Sequence, residues 1–274
     1  MMLSDNTPNF CRPPSWPADW IIPDWPAPTG VRAVCTSRNG GVSVPPWNSL
    51  NLGSHVGDAS DKVNANRACL QQALGARPVF MEQVHGLRVL EQHAGEADAQ
   101  QADAAITGHN GLACTVMVAD CLPVLFTDTS GTRVAAAHAG WRGLAGADGI
   151  GILEQVSRLF WPLTHKDKAQ DAIEVIAWLG PCIGPQAFEV GADVRRAFVE
   201  THPNAADCFK PVAANKWMAD LPGLARQRLA ALGMERVYGN DGSSAWCTVQ
   251  NPSRFFSHRR DRISGRMAAC IWRG

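Results

Sequence analysis

The sequence has no C-x-x-C pair, no H-x-H pair, no excess charge of either sign and no uncharged apolar run of membrane-spanning length. Each absence excludes something. Lys+Arg and Asp+Glu both number 25, giving a formal net charge of +0. That balance leaves no electrostatic footprint for nucleic acid or an anionic membrane surface. The densest basic cluster, Arg259-Arg260 with Arg262 and Arg266, is interrupted by Asp261 and reads as a solvated, salt-bridged surface. Without a long apolar run no membrane-spanning helix is expected. The opening stretch, MMLSDNTPNFCRPPSWPADW, has neither a basic n-region nor an apolar h-region and does not read as a signal peptide. The nine cysteines then read as reduced thiols of a cytoplasmic protein, some of them small core fillers.

What is present points to a mixed fold. With 274 residues, 46% of them hydrophobic, the chain can bury a sizeable core. Residues 1–29 are dense in Pro and Trp (Trp16, Trp20, Trp25) and read as an irregular arm whose tryptophans dock onto a single domain spanning 30–274. Apolar patterning predicts strands at 31–36, 78–84, 87–91, 113–119, 122–127, 133–138, 172–179, 234–238 and 267–272. Helices are predicted at 61–75, capped by Gly75, at 141–161, at 185–200 with Pro185 in the first turn, and at 219–232. Several sequential strands among helices suggest one α+β domain of layered sheets and helices.

One stretch conflicts with its surroundings. CTVMVADCLPVLF, 114–126, is apolar enough for a strand buried on both faces, yet Asp120-Cys121 interrupts it and Pro123 follows. A buried carboxylate must find a partner or a metal. Two other stretches, Gln83-Val84-His85-Gly86 and Ala137-His138-Ala139-Gly140-Trp141-Arg142, likewise place a ligand-type side chain at a predicted strand end. The intervals between His85, Cys121 and His138 are far longer than those of a zinc knuckle and suit three separate strands converging on one point. Two imidazoles and one thiolate suit Zn²⁺, and three protein ligands leave a position open for water or substrate. Asp120 would then orient a ligating histidine. Taken singly, each histidine has a structural alternative, and His55, His93, His109, His165 and His202 compete for the role; His55 in the GSHVGD loop is the strongest second-site candidate. The glycine-rich run HAGWRGLAGADG suggests an anion pocket at a helix start, with Arg142 as charged donor and Trp141 as a flat wall. The alternative is that its glycines only allow close packing.

SRNGGVS, NSLNLGSHVGD, QVHG, DAAIT, VADCLPVLF, AAAHAGWRG, LGPCIG with FEVG, and FFSHRRD with SGR occur in this order. Together they resemble the YfiH-like laccase-domain family, described both as multicopper polyphenol oxidoreductases and as purine nucleoside phosphorylases. The resemblance implies a single-domain, layered α-β-β-α sandwich with mixed sheets, a CNF-like, cysteine-hydrolase-type fold. It implies zinc held by His85, Cys121 and His138. The implied activity is phosphorolysis of adenosine, inosine and methylthioadenosine, with an adenosine deaminase side activity; some members are described as editing peptidoglycan precursors. His258 stands where the family commonly has Tyr, Met81 where Trp is common, and Cys182 lies within LGPCIG.

Ligand supply argues against a true laccase: a trinuclear copper cluster needs many imidazoles, commonly in H-x-H pairs, and the chain has 8 His and no such pair. Copper remains the alternative metal. The expected partners are purine nucleosides and phosphate, with Arg38 and Arg142 as anion donors, Asn51 and His55 reading the ribose, and Asp120 moving protons. A second expectation is a Cys-His hydrolase with Cys121 as nucleophile, His138 as base and Asp120 or Asp103 as orienter. A third is a non-catalytic module that binds a nucleotide or a protein in the same groove.

Overall fold

The computed structural model describes residues 16–164 and 174–274. Its strands are β1 (Val31–Cys35), β2 (Arg77–Phe80), β3 (Val89–Glu91), β4 (Ala104–Thr107), β5 (Leu112–Val118), β6 (Leu122–Asp128), β7 (Val134–Ala139), β8 (Val175–Leu179), β9 (Glu189–Gly191), β10 (Phe209–Ala213), β11 (Lys216–Ala219), β12 (Val237–Gly239) and β13 (Met267–Arg273). The helices are α1 (Ser60–Leu74), α2 (Trp141–Ala145), α3 (Ile152–Thr164), α4 (Ala192–Val199), α5 (Leu221–Ala231) and α6 (His258–Asp261). They build a four-stranded sheet ordered β1-β13-β5-β2, a six-stranded sheet ordered β12-β8-β6-β7-β4-β3, and a three-stranded sheet ordered β10-β11-β9. Parallel and antiparallel pairs mix in both larger sheets.

Burial on two sides explains why the strands lack a polar face. In β5, Cys114 and Val116 pack with Leu125, Ala136 and Trp178 of the six-stranded sheet. The intervening Ala113 and Met117 face Leu70 and Leu74 of α1. In β6, Val124 and Phe126 pack with Val156 and Phe160 of α3 and Leu224 of α5. Each such side chain contributes about 1.5–3 kcal/mol relative to exposure. Trp16 and Trp20 extend the cluster beneath α1, and Trp25 enters the one between the sheets. Gly75 closes α1 in the left-handed conformation (φ 64°) that the sequence assigned to it.

Several boundaries differ from expectation. The 78–84 strand stops at Phe80, because the chain turns away to wrap a buried carboxylate. The single helix at 141–161 is broken: Gly146, Asp148 and Gly149 all take positive φ, so α2 ends after five residues and α3 starts afresh. The helix at 185–200 shrinks to Ala192–Val199, because Glu189–Gly191 pair with β11 as a strand. The β10–β11 hairpin and β4 were not anticipated. Residues 172–173 of the predicted strand and His165 lie outside the described residues. Among the described residues no helix is long and apolar enough to cross a membrane.

Candidate metal centre and active site

β5 and β6, adjacent in sequence, belong to different sheets. Ala119-Asp120-Cys121 is where the chain crosses between them, so the apolar run 114–126 is two strands and the Asp-Cys pair is their junction. Asp120 sits at φ 88°, a conformation that short polar residues tolerate best. Its carboxylate accepts from the Thr248 hydroxyl (2.6 Å) and the Arg259 backbone N–H (2.6 Å). This corrects the expectation that Asp120 orients a ligating histidine.

Asp103, the other orienter expected for His138, makes that contact instead. Fully buried at the start of β4, it accepts from His138 Nδ1 at 2.9 Å. It also accepts the backbone N–H groups of Val84 (3.1 Å), His85 (2.9 Å) and Gly86 (2.7 Å). The QVHG turn thus closes around one carboxylate, with His85 at φ 59°. Burial pushes the Asp103 carboxyl up, but His138 and these N–H groups outweigh it and hold it below its ordinary value.

The three expected ligands meet. Donor atoms of His85, Cys121 and His138 all lie within 4.8 Å of one another, Cys121 Sγ being 3.7 Å from His85 Nε2. The two rings stand edge to face, 4.7 Å between centroids. With Nδ1 of His138 engaged by Asp103, Nε2 is its free donor. Burial would raise the Cys121 thiol, but the charge of His138 and hydrogen bonds from His138 and His85 bring it down to about 6. Burial would lower His138, but Cys121 and Asp103 raise it to about 9. The donor set, its spacing and the carboxylate behind one imidazole fit a metal with two nitrogens and one thiolate. Among the described residues no other such group of three is found.

These side chains line a cavity of about 410 Å³. His55, Trp141, Arg142 and Asp120 line it with these three residues. Arg38 and Asn51 do not. Arg38 donates to Asn48 O (3.0 Å) and Pro252 O (2.9 Å), clamping two loops. Asn51 is fully buried, bonded to Asp58 (3.0 Å), Gly53 (2.9 Å) and the backbone of Arg266 (2.9 Å). Met81 is buried between the sheets and not at the cavity. The helix start expected as an anion pocket belongs to α2, which has only five residues, so Arg142 and not a long helix end is what this segment offers an anion.

The basic segment was misjudged in the opposite direction. Arg259, Arg262 and Arg266 line the cavity beside His258, and only Arg260 pairs with Asp261. Among the described residues none of the guanidinium groups of Arg142, Arg259, Arg262 and Arg266 has a carboxylate partner. The signal was available: four arginines against one aspartate is more charge than a salt-bridged surface consumes. Phe188, Ile183 and Leu221 supply apolar wall, and Gln83 is held by both backbone groups of Met117 (2.9 and 2.7 Å). His55 is held below its ordinary value by burial and by the charges of Arg266, Arg67 and His138.

Facing mixed sheets, with two imidazoles and a thiol gathered where the chain crosses between them, define a class. The chain belongs to the family described as multi-copper polyphenol oxidoreductase laccase, whose sequence pattern matches residues 32–274. It is 48% identical over 254 residues to a purine nucleoside phosphorylase of Pseudomonas aeruginosa, covering 92% of this chain and 98% of that protein. Identity is 47% over 254 residues, with the same coverage, to purine nucleoside phosphorylase YfiH of Escherichia coli. The crystal structure of a Neisseria meningitidis protein superposes with a TM-score of 0.84 at 43% identity, covering 93% of this chain and 99% of that one.

Proposed function

We propose that this protein is a zinc-dependent purine nucleoside phosphorylase, its residues 30–274 forming one catalytic domain and 1–29 an arm. The observation that carries the reading is a three-ligand His-Cys-His group inside a cavity also lined by Asp120 and by four arginines whose guanidinium groups have no carboxylate partner among the described residues. Phosphorolysis joins a phosphate oxygen to the ribose anomeric carbon as the bond to the purine nitrogen breaks, so an anion, a sugar and a flat base must be held together. Arg142, Arg259, Arg262 and Arg266 supply the anion site. Trp141 and Phe188 offer flat walls for the base, and His55 faces the ribose. The names of the relatives support the same substrates. Bound zinc would supply Lewis acidity and a cationic anchor for oxygen; copper is the alternative metal. Adenosine, inosine and methylthioadenosine are the proposed nucleosides, with adenosine deamination as a side activity. The layers of α1, two facing sheets and α3–α5 accord with the α-β-β-α, cysteine-hydrolase-type fold. The eight free cysteines among the described residues accord with a cytoplasmic protein.

The test is incubation with adenosine, with and without phosphate, followed by product separation. Adenine formed only with phosphate supports phosphorolysis, inosine formed without it supports deamination, and unchanged adenosine sinks both. One observation favours a second reading: Asp103, His138 and Cys121 also form a carboxylate–imidazole–thiolate series suited to a cysteine hydrolase or amidase. Metal content of protein purified without added metal separates the two, since the hydrolase needs none.

A further inference from the structure

Among the described residues Asp103 is the one fully buried carboxylate that touches two of the three ligand-bearing segments. One oxygen, Oδ1, accepts both the His138 ring N–H (2.9 Å) and the His85 backbone N–H (2.9 Å). The other, Oδ2, accepts Val84 N (3.1 Å) and Gly86 N (2.7 Å). The coupling continues through the backbone, where His138 N donates to Asp103 O at 2.7 Å. Two candidate ligands distant in sequence, one in a turn and one on β7, are therefore referenced to one residue, and both of its oxygens are fully used.

Two consequences follow from this arrangement. An acceptor fixed opposite Nδ1 keeps a proton there, so Nε2 is the nitrogen that gives up its proton and turns its lone pair to the cavity when a metal binds. Three N–H groups converging on the carboxylate hold the QVHG turn in its left-handed bend at His85, so that ring is aimed before any ligand arrives. Resting on the zinc-site reading above, we propose that Asp103 is a positioning residue that sets the tautomer of His138 and the placement of His85 together, so that the ligand set is preformed.

A buried carboxylate can also be merely structural, and Asp128 provides the comparison. It too is fully buried, and it accepts from Ser130 Oγ (2.7 Å), Thr132 N (2.8 Å), Thr132 Oγ1 (2.7 Å) and Arg133 N (2.8 Å) in a turn that includes no ligand. Asp103→Asn and Asp128→Asn each put an amide N–H₂ where N–H donors already point, and both should lower the melting temperature. Only Asp103→Asn should also weaken zinc, by about 10- to 100-fold in chelator competition, the usual effect of losing such a partner. The thiolate-to-metal absorption of the Co²⁺-loaded protein should survive, because Cys121 is untouched. Equal zinc affinity in Asp103→Asn and the unaltered protein overturns the proposal, as does an equal loss in Asp128→Asn. A measurement on the unaltered chain covers the case in which Asp103→Asn does not fold: ¹⁵N-histidine spectra of the zinc-loaded protein should show His138 protonated at Nδ1. A proton at Nε2, or a metal-bound Nδ1, overturns the proposal while the zinc site stands. If the unaltered protein binds no more zinc than Cys121→Ala, the zinc-site reading itself is lost and this proposal with it.

Discussion

Asp120 and Thr248, 128 residues apart in sequence, share a 2.6 Å hydrogen bond at the wall of the cavity. The same carboxylate holds the backbone N–H of Arg259, so the residue next to Cys121 also anchors the segment that carries His258, Arg259 and Arg262. Thr248→Val keeps the shape and removes the hydroxyl. It leaves one oxygen of a carboxylate only 9% exposed without its donor. The expected cost is about 1–3 kcal/mol of stability, together with a higher KM for phosphate and little change in metal content. Urea denaturation and initial rates at varied phosphate check it; unchanged stability and KM would show that the contact does no anchoring.

Cys121→Ala removes the sulfur ligand and leaves the rest of the cavity in place. Metal content should fall from about one per chain to nearly none, as expected when a three-ligand site loses one ligand, and phosphorolysis should disappear with it. Full turnover in this variant would defeat both the metal reading and the thiol-nucleophile reading.

Gly140 has ordinary extended dihedrals (φ −63°, ψ 158°), so nothing in its backbone requires glycine. Its surroundings do. A Cβ there would lie 2.9 Å from His85 Cδ2 and 3.0 Å from Cys121 Sγ. Gly140→Ala should therefore displace two ligands by a few tenths of an ångström or more while the fold persists. Turnover should drop by up to ~10²-fold, the order seen when reacting groups are misplaced by about 1 Å, with a modest change in melting temperature. Zinc titration beside a thermal melt distinguishes this from general unfolding.

In metal-free protein Cys121 and His138 face each other as thiolate and imidazolium. The thiol lies at about 6 against an ordinary 9.0, and the imidazole at about 9 against an ordinary 6.5. A depressed acid stabilises fully above its unfolded value and loses that contribution as pH falls through about 6. A raised base stabilises fully below its unfolded value and loses it as pH rises through about 9. The pair therefore contributes most between these limits. Alkylation by iodoacetamide at Cys121 should stay fast down to about pH 6, with Cys121→Ala as the blank. Reaction that fades well above pH 7 would contradict the pairing.

How much of this could be read from the residues varies with their local signal. His85, Cys121 and His138 were readable because each breaks an apolar run near a strand end. Asp103 stands beside Asp120 as an alternative orienter of His138 in the hydrolase reading alone, because β4 is Ala-Ala-Ile-Thr, too short and too rich in alanine to register as a strand. Without β4 beside β7, nothing favours Asp103 over Asp120 as the partner of His138. Asp120 was assigned the histidine by proximity in sequence, whereas a sheet crossing turns it towards Thr248 instead. The basic segment was missed because a four-residue helix, N-capped by Ser257, has too little periodicity to show which way its arginines face.

Arg266 and Arg38 should part company when each is changed to glutamine. Arg266 lines the cavity, donates to Ser264 O (2.9 Å) and Gly265 O (3.1 Å), and has no carboxylate partner among the described residues. Burial lowers its proton affinity, while the charges of Cys121 and Asp120 raise it, which places the guanidinium within electrostatic reach of the metal ligands. Removing its charge should raise KM for phosphate roughly 10- to 100-fold, the worth of a charge-assisted hydrogen bond, with a smaller effect on KM for nucleoside. Arg38 spends its guanidinium on Asn48 and Pro252 and stacks over Phe256 at 4.7 Å. Arg38→Gln should cost about 1 kcal/mol of stability and leave both KM values alone. Steady-state rates at varied phosphate separate the two arginines, and a phosphate KM that rises for Arg38→Gln but not for Arg266→Gln would return the anion site to the first strand's loop.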